Sequence, residues 1–95
     1  MAACPILGFE LDLELGPNIS TSDAESLWNA LMRFLSQRGL EADGVRRDRS
    51  WTYRIRGDGT QATDADRTAT LEWASSQLGI VGHRASRVYD LQGDV

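Results

Sequence analysis

Ninety-five residues, 41% hydrophobic and 25% charged, are enough for one domain with a single modest core. A net charge of −4, with all ten basic residues arginine, argues against a free-standing, strongly electrostatic nucleic-acid binder. No apolar run approaches the roughly 18 residues of a membrane span, the first residues lack the basic and apolar regions of a signal peptide, and Cys4 is alone, so a cytoplasmic protein without a membrane partner or an internal disulfide is expected.

The first element is a half-buried strand. Leu7, Phe9, Leu11, Leu13 and Leu15 alternate with Glu10, Asp12 and Glu14, the period of a strand with one apolar face. Gly16-Pro17-Asn18 stops it. Ser22 and Glu25 then have the spacing of a capping box. Leu27, Trp28, Leu31, Phe34 and Leu35 follow at helical intervals up to Gly39, which is placed to end the helix at C′.

Leu40 to Val45 reads as a short strand, and Asp43-Gly44 with the arginines after it as a hairpin connection. Trp51, Tyr53 and Ile55 alternate with Thr52, Arg54 and Arg56 over the next strand, which Gly57-Asp58-Gly59 ends. Thr63 caps a second helix reaching about Leu78, with Ala69, Trp73, Ala74 and Leu78 facing inward and Gly79 closing it. Ser86 to Leu91 supplies the final strand, while Gln92 to Val95 is expected to fray.

The order βαββαβ predicts an α+β, two-layer ferredoxin-like sandwich, with a four-stranded antiparallel sheet and both helices on one face. It is expected as a single domain over residues 1–95, ordered over about 6–91. In such a sheet the first and third strands are neighbours, so Glu10, Asp12 and Glu14 are expected across from Arg54 and Arg56 on the open face, as a neutralised charged stripe. Arg46, Arg47 and Arg49 lie on the connection with only Asp48 among them. They are the candidate phosphate contacts, a basic loop that could reach an RNA backbone.

Nothing in the chain assembles a catalytic or metal constellation. His83 is the sole histidine, with no Cys-x-x-Cys or His-x-x-x-His spacing, and Gly57-Asp58-Gly59-Thr60 lacks the lysine of a phosphate-binding loop. Asp64 and Asp66 open a helix, where negative charge is favourable without any reaction. No enzyme activity and no cofactor are expected.

Several segments, in order, resemble the YggL family of 50S ribosomal subunit-binding proteins. They are Leu7-Gly8-Phe9, Thr21-Ser22-Asp23-Ala24-Glu25, Gly39-Leu40-Glu41-Ala42-Asp43-Gly44, Thr63-Asp64-Ala65-Asp66, Leu71-Glu72-Trp73 and Arg87-Val88-Tyr89-Asp90-Leu91. The resemblance implies a small bacterial protein that binds the large ribosomal subunit through ribosomal RNA or proteins, as an assembly or accessory factor without enzymatic activity. The chain departs from the family in two places. Met1 to Ile6 carry no positive charge where the family has a basic segment, and Val45-Arg46-Arg47-Asp48-Arg49 stands where the family has a glycine- and aromatic-containing connection. Either the arginine connection replaces part of the basic segment or, equally, the chain is a divergent relative that has lost ribosome binding. The alternative is a protein-interaction or homodimerising module that does not bind the ribosome. A small-molecule sensor or enzyme using the sheet face is a third reading, for which the sequence offers no ligand group.

Overall fold

The computed structural model describes residues 6–91; Cys4, the uncharged N-terminal segment up to Pro5 and the tail from Gln92 lie outside the described residues. Among these residues the chain forms two helices and one antiparallel sheet of five strands. β1 is Leu7–Leu15, α1 Thr21–Gln37, β2 Leu40–Arg47, β3 Ser50–Gly57, α2 Asp64–Ser75, β4 Ile80–Ala85 and β5 Tyr89–Asp90. The main strand order is β2-β3-β1-β4, with β5 also pairing β1.

β1 is the organising strand. It pairs with β3 from Gly8↔Arg56 to Glu14↔Ser50, and its other edge takes β4 from Leu11↔Ala85 onward and β5 at Leu7↔Asp90 and Gly8↔Tyr89. Because facing residues share a side of the sheet, Phe9, Leu11 and Leu13 line up with Ile55, Tyr53 and Trp51. These six are buried together with Leu27, Leu31 and Leu35 of α1 and Ala74 of α2, forming one core. Phe34 stacks on Trp73 with ring centroids 5.7 Å apart, joining the two helices. Arg38 at the end of α1 reaches Asp66 at the start of α2, 3.0 Å away.

The helix ends are set locally. The α1 cap is Ser20, whose Oγ accepts the Asp23 N–H at 3.0 Å, rather than the expected Ser22–Glu25 box. The backbone is already helical at Thr21, and Glu25 turns to Arg46 instead. Gly39 follows Arg38, the C-cap, with φ of 71°, the left-handed conformation that glycine adopts without a Cβ penalty. Thr63 caps α2 as expected, in a reciprocal box: its Oγ1 accepts the Asp66 N–H at 3.2 Å and Asp66 Oδ2 accepts the Thr63 N–H at 3.0 Å.

Three expectations are corrected. α2 stops at Ser75, because Ser75 and Ser76 hydroxyls donate to the carbonyls of Glu72 and Trp73, taking groups at the end of the helix. Leu78 is therefore fully exposed instead of buried. Ile80–Ala85, outside the expected elements, form the edge strand β4, and the expected last strand shrinks to the two residues of β5, so the sheet has five strands instead of four. β4 and β5 follow the same edge of β1, interrupted over residues 86–88. There the Ser86 N–H donates to the Glu10 carbonyl and Ser86 Oγ accepts the Glu10 N–H, both at 2.9 Å, so a side chain completes the ladder.

Candidate nucleic-acid interface

β2 runs further than its composition suggests, and this changes the arginines. Leu40, Ala42, Gly44 and Arg46 face Gly57, Ile55, Tyr53 and Trp51, while Glu41, Asp43, Val45 and Arg47 face Arg56, Arg54, Thr52 and Ser50. Leu40 and Ile55 are buried, so the first set lies on the helix side and the second on the open side. Consecutive arginines thus point to opposite faces of the sheet. Only Asp48 and Arg49 remain as the turn, with Asp48 at φ 52°, a conformation that aspartate tolerates better than most residues. The Arg49 carbonyl accepts the Leu15 N–H at 2.8 Å, which ties the turn to the end of β1.

Arg46 is engaged within the protein. Its guanidinium carbon lies 4.8 Å from the Trp28 ring centroid and 5.6 Å from that of Trp51, and its Nη1 is 3.0 Å from Glu25 Oε1. Two cation–π contacts and an ion pair on a partly exposed guanidinium together contribute about 1–2 kcal/mol. Arg46→Ala is accordingly expected to lower the urea midpoint and the Tm, the latter by about 4–8 °C for each kcal/mol lost. An unchanged Tm would show that the box contributes no stability.

Beneath this box lies Tyr53. Its ring meets Trp51 edge-on at 6.3 Å, and its hydroxyl is buried without a hydrogen-bond partner among the described residues; the Trp28 indole is near but outside hydrogen-bonding geometry. Burial pushes the phenol up from 10.0 to about 12, opposed by the neighbouring Arg46 charge and the Trp28 indole and reinforced by Glu25. The folded-state pKa lies above the unfolded value, so this contribution to stability is complete below pH 10 and is lost as pH rises toward 12. A loss of about 2 kcal/mol is expected across that window. Tyr53→Phe should remove the alkaline loss and, by deleting an unpaired buried hydroxyl, be neutral or up to about 1 kcal/mol more stable at pH 7. Urea titrations of both proteins at pH 7 and at about pH 11.5 check this, and equal alkaline losses in the two would refute it.

The open face is a lattice of alternating sign. β2 offers Glu41 and Asp43, β3 Arg54 and Arg56, β1 Glu10, Asp12 and Glu14, and β4 Arg84. The expected neutralisation of Arg56 is present, but from the other neighbour: Arg56 Nε lies 2.7 Å from Glu41 and its Nη1 2.6 Å from Asp43, both on β2. The hydrogen bond to Asp43 raises the already high pKa of Arg56 further. β1 finds a cation on its opposite side, where Arg84 is 3.4 Å from Asp12. Arg54 does face Glu10 in register.

The three candidate phosphate contacts therefore divide. Arg46 is bound into the helix side, Arg47 ends β2 on the open side, and Arg49 lies on the turn. Arg46 and Arg49 line a cleft of about 440 Å³ between the hairpin and the start of α1, together with Ser20, Thr21, Glu25 and Trp51. Sequence reasoning did not connect Glu25 and Trp28 to Arg46. The signal was the parity of β2 from Leu40 and Ala42, which carries through to position 46.

No protein-family model and no curated protein matches the chain. Among the described residues no group of three or more His, Cys, Asp and Glu side chains is placed to hold a metal ion, and no helix is long and apolar enough to cross a membrane.

Proposed function

We propose that this chain is a non-enzymatic, ferredoxin-like domain that associates with the large ribosomal subunit, in the manner implied by its resemblance to the YggL family. The strand order β2-β3-β1-β4, with a helix between β1 and β2 and another between β3 and β4, supports the ferredoxin-like reading. One observation supports phosphate contact at the hairpin. The side chains of Arg47 and Arg49, both exposed at its tip, make no ion pair or hydrogen bond with any described residue. Unpaired guanidinium groups can take phosphate oxygens bidentately without first giving up a carboxylate. Arg46 enters as the support that holds the hairpin against α1, not as a contact.

The test is a sucrose gradient of tagged protein with ribosomes at low and moderate salt. Co-migration with the 50S subunit that fades with salt is expected, because each phosphate contact releases counterion. R47A/R49A should weaken binding and flatten the slope of log K against log salt by between one and two units, each contact carrying about 0.7–0.9. Protein found only at the top of the gradient at both salts would overturn ribosome association. Unchanged affinity and slope in the double variant would remove the hairpin tip. A second reading, a self-associating or protein-binding module, draws on Leu78, fully exposed before the start of β4, and Val81, 64% exposed on β4, the edge of the sheet opposite β2.

A further inference from the structure

β4 is an edge strand, and its backbone directions can be worked out. The Ser86 N–H donates to the Glu10 carbonyl, and antiparallel pairing alternates inward and outward peptide groups. Arg84 and Gly82 therefore turn their N–H and C=O toward β1, while Ala85 and His83 turn theirs away. The Ala85 carbonyl agrees with this, since it accepts from Arg67 Nη2 at 3.0 Å and not from β1; the Ser86 carbonyl, just past the end of β4, accepts from Arg67 Nε at 2.6 Å. One end of the free edge is thus covered by a guanidinium. The other end is bent by the register shift at Glu14/Leu15, which leaves Val81 as the extra residue. Both are devices that blunt an edge. What stays open is the short window Gly82-His83-Arg84, whose outer edge meets no strand among the described residues.

That window is complementary to itself. A second copy laid antiparallel about a two-fold axis at His83 exchanges the outward N–H and C=O of the two His83 residues. It also sets Gly82 of each copy opposite Arg84 of the other. Gly82 faces Glu14 in the sheet, and a Cβ built on Gly82 would lie only 3.4 Å from Glu14 Cβ. With no side chain at Gly82, the incoming Arg84 exchanges its long, exposed 3.4 Å contact with Asp12 of its own copy for the Glu14 carboxylate across Gly82, which has no ion pair among the described residues. Shifting the axis one residue toward Arg84 would place the two Arg84 side chains directly opposite each other, a destabilising arrangement. Charge therefore selects the His83-centred register. Val81, largely exposed, lies opposite Ala85 of the second copy and adds apolar contact.

We propose that two copies of this chain pair through the outer edge of β4, antiparallel about His83, with Arg84 of each copy crossing Gly82 of the other to reach Glu14. The contact is isologous, as a two-fold interface must be, and so short that it forms in a concentration-dependent equilibrium. It does not rest on ribosome association, because β2 and the hairpin tip lie toward the opposite edge of the sheet.

Sedimentation of the full chain from about 10 μM to about 1 mM covers the range in which a small interface is measurable. A reversible monomer–dimer equilibrium is expected. H83P removes one outward N–H and no bond to β1, at a position where an edge strand tolerates proline, and should raise Kd by about tenfold or more. R84E should weaken the dimer comparably, and E14R/R84E, which re-forms the cross-copy pair with the signs exchanged, should recover it. V81K, altering a side chain already exposed in the monomer, is a further disruptive variant, and thermal melts of every variant confirm the fold. A monomer throughout the range, a dimer untouched by H83P and V81K, or an R84E defect that the exchanged pair fails to recover would overturn the proposal.

Discussion

Gly8→Val is expected to cost about 3 kcal/mol or more, enough to leave little folded protein from a marginally stable domain of this size. Gly8 sits in β1 between Arg56 of β3 and Tyr89 of β5. A Cβ at this position would collide with the Ile55 carbonyl oxygen and come within 2.7 Å of Leu91 Cδ1. The leucine can move, but the carbonyl belongs to the central strand pair and can yield only if β1 and β3 separate. Gly8→Ala should show the same defect in weaker form, since it brings the Cβ without the branch. Urea unfolding followed by tryptophan fluorescence reads both variants, and a midpoint for Gly8→Val within error of the parent would show that the strands can part at no cost.

One residue further along, the same strand makes the reverse demand. Phe9 is wholly buried and faces Ile55 on the helix side of the sheet. Phe9→Ala removes a ring from the middle of the core, and the lost transfer energy plus the cavity left behind should cost about 3–5 kcal/mol. For a domain of this length the Tm should fall by about 15 °C or more. Phe9→Leu, which keeps most of the volume, should recover much of the loss. A small effect of Phe9→Ala would mean that the helices collapse onto the sheet and fill the space.

The parts of the fold legible in the sequence are those where periodicity and capping agree. β1 alternates without a fault, α1 carries its buried leucines at helical spacing, and Thr63 with Asp66 forms the box that opens α2. β4 was illegible for a physical reason. It is an edge strand with a bulge, so Ile80-Val81-Gly82-His83-Arg84-Ala85 shows no alternation, and only Ile80 of the six is buried. Leu78 misled because hydrophobicity at helical spacing implies burial only while the helix lasts, and the serine hydroxyls end this one first. The arginine connection was misread in a related way. Arg-Arg-Asp-Arg has the composition of a loop, yet antiparallel pairing with β3 extends β2 through Arg47 and sends Arg46 between two tryptophans. Composition speaks to solvent preference; here cross-strand partners decided position.

The central place of β1 also bears on how the chain is made. Among the described elements it leaves the ribosome first, and its strand partners there, β3, β4 and β5, are all synthesised after it. Until Ser50–Gly57 emerges, both edges of Leu7–Leu15 are bare, and α1 alone is available to cover its leucines. A growing polypeptide in that state is prone to pair with its neighbours on other ribosomes. Glu10, Asp12 and Glu14 then act before any arginine arrives to face them: three like charges along one side of the unpaired strand repel a second nascent copy, as gatekeeper residues do.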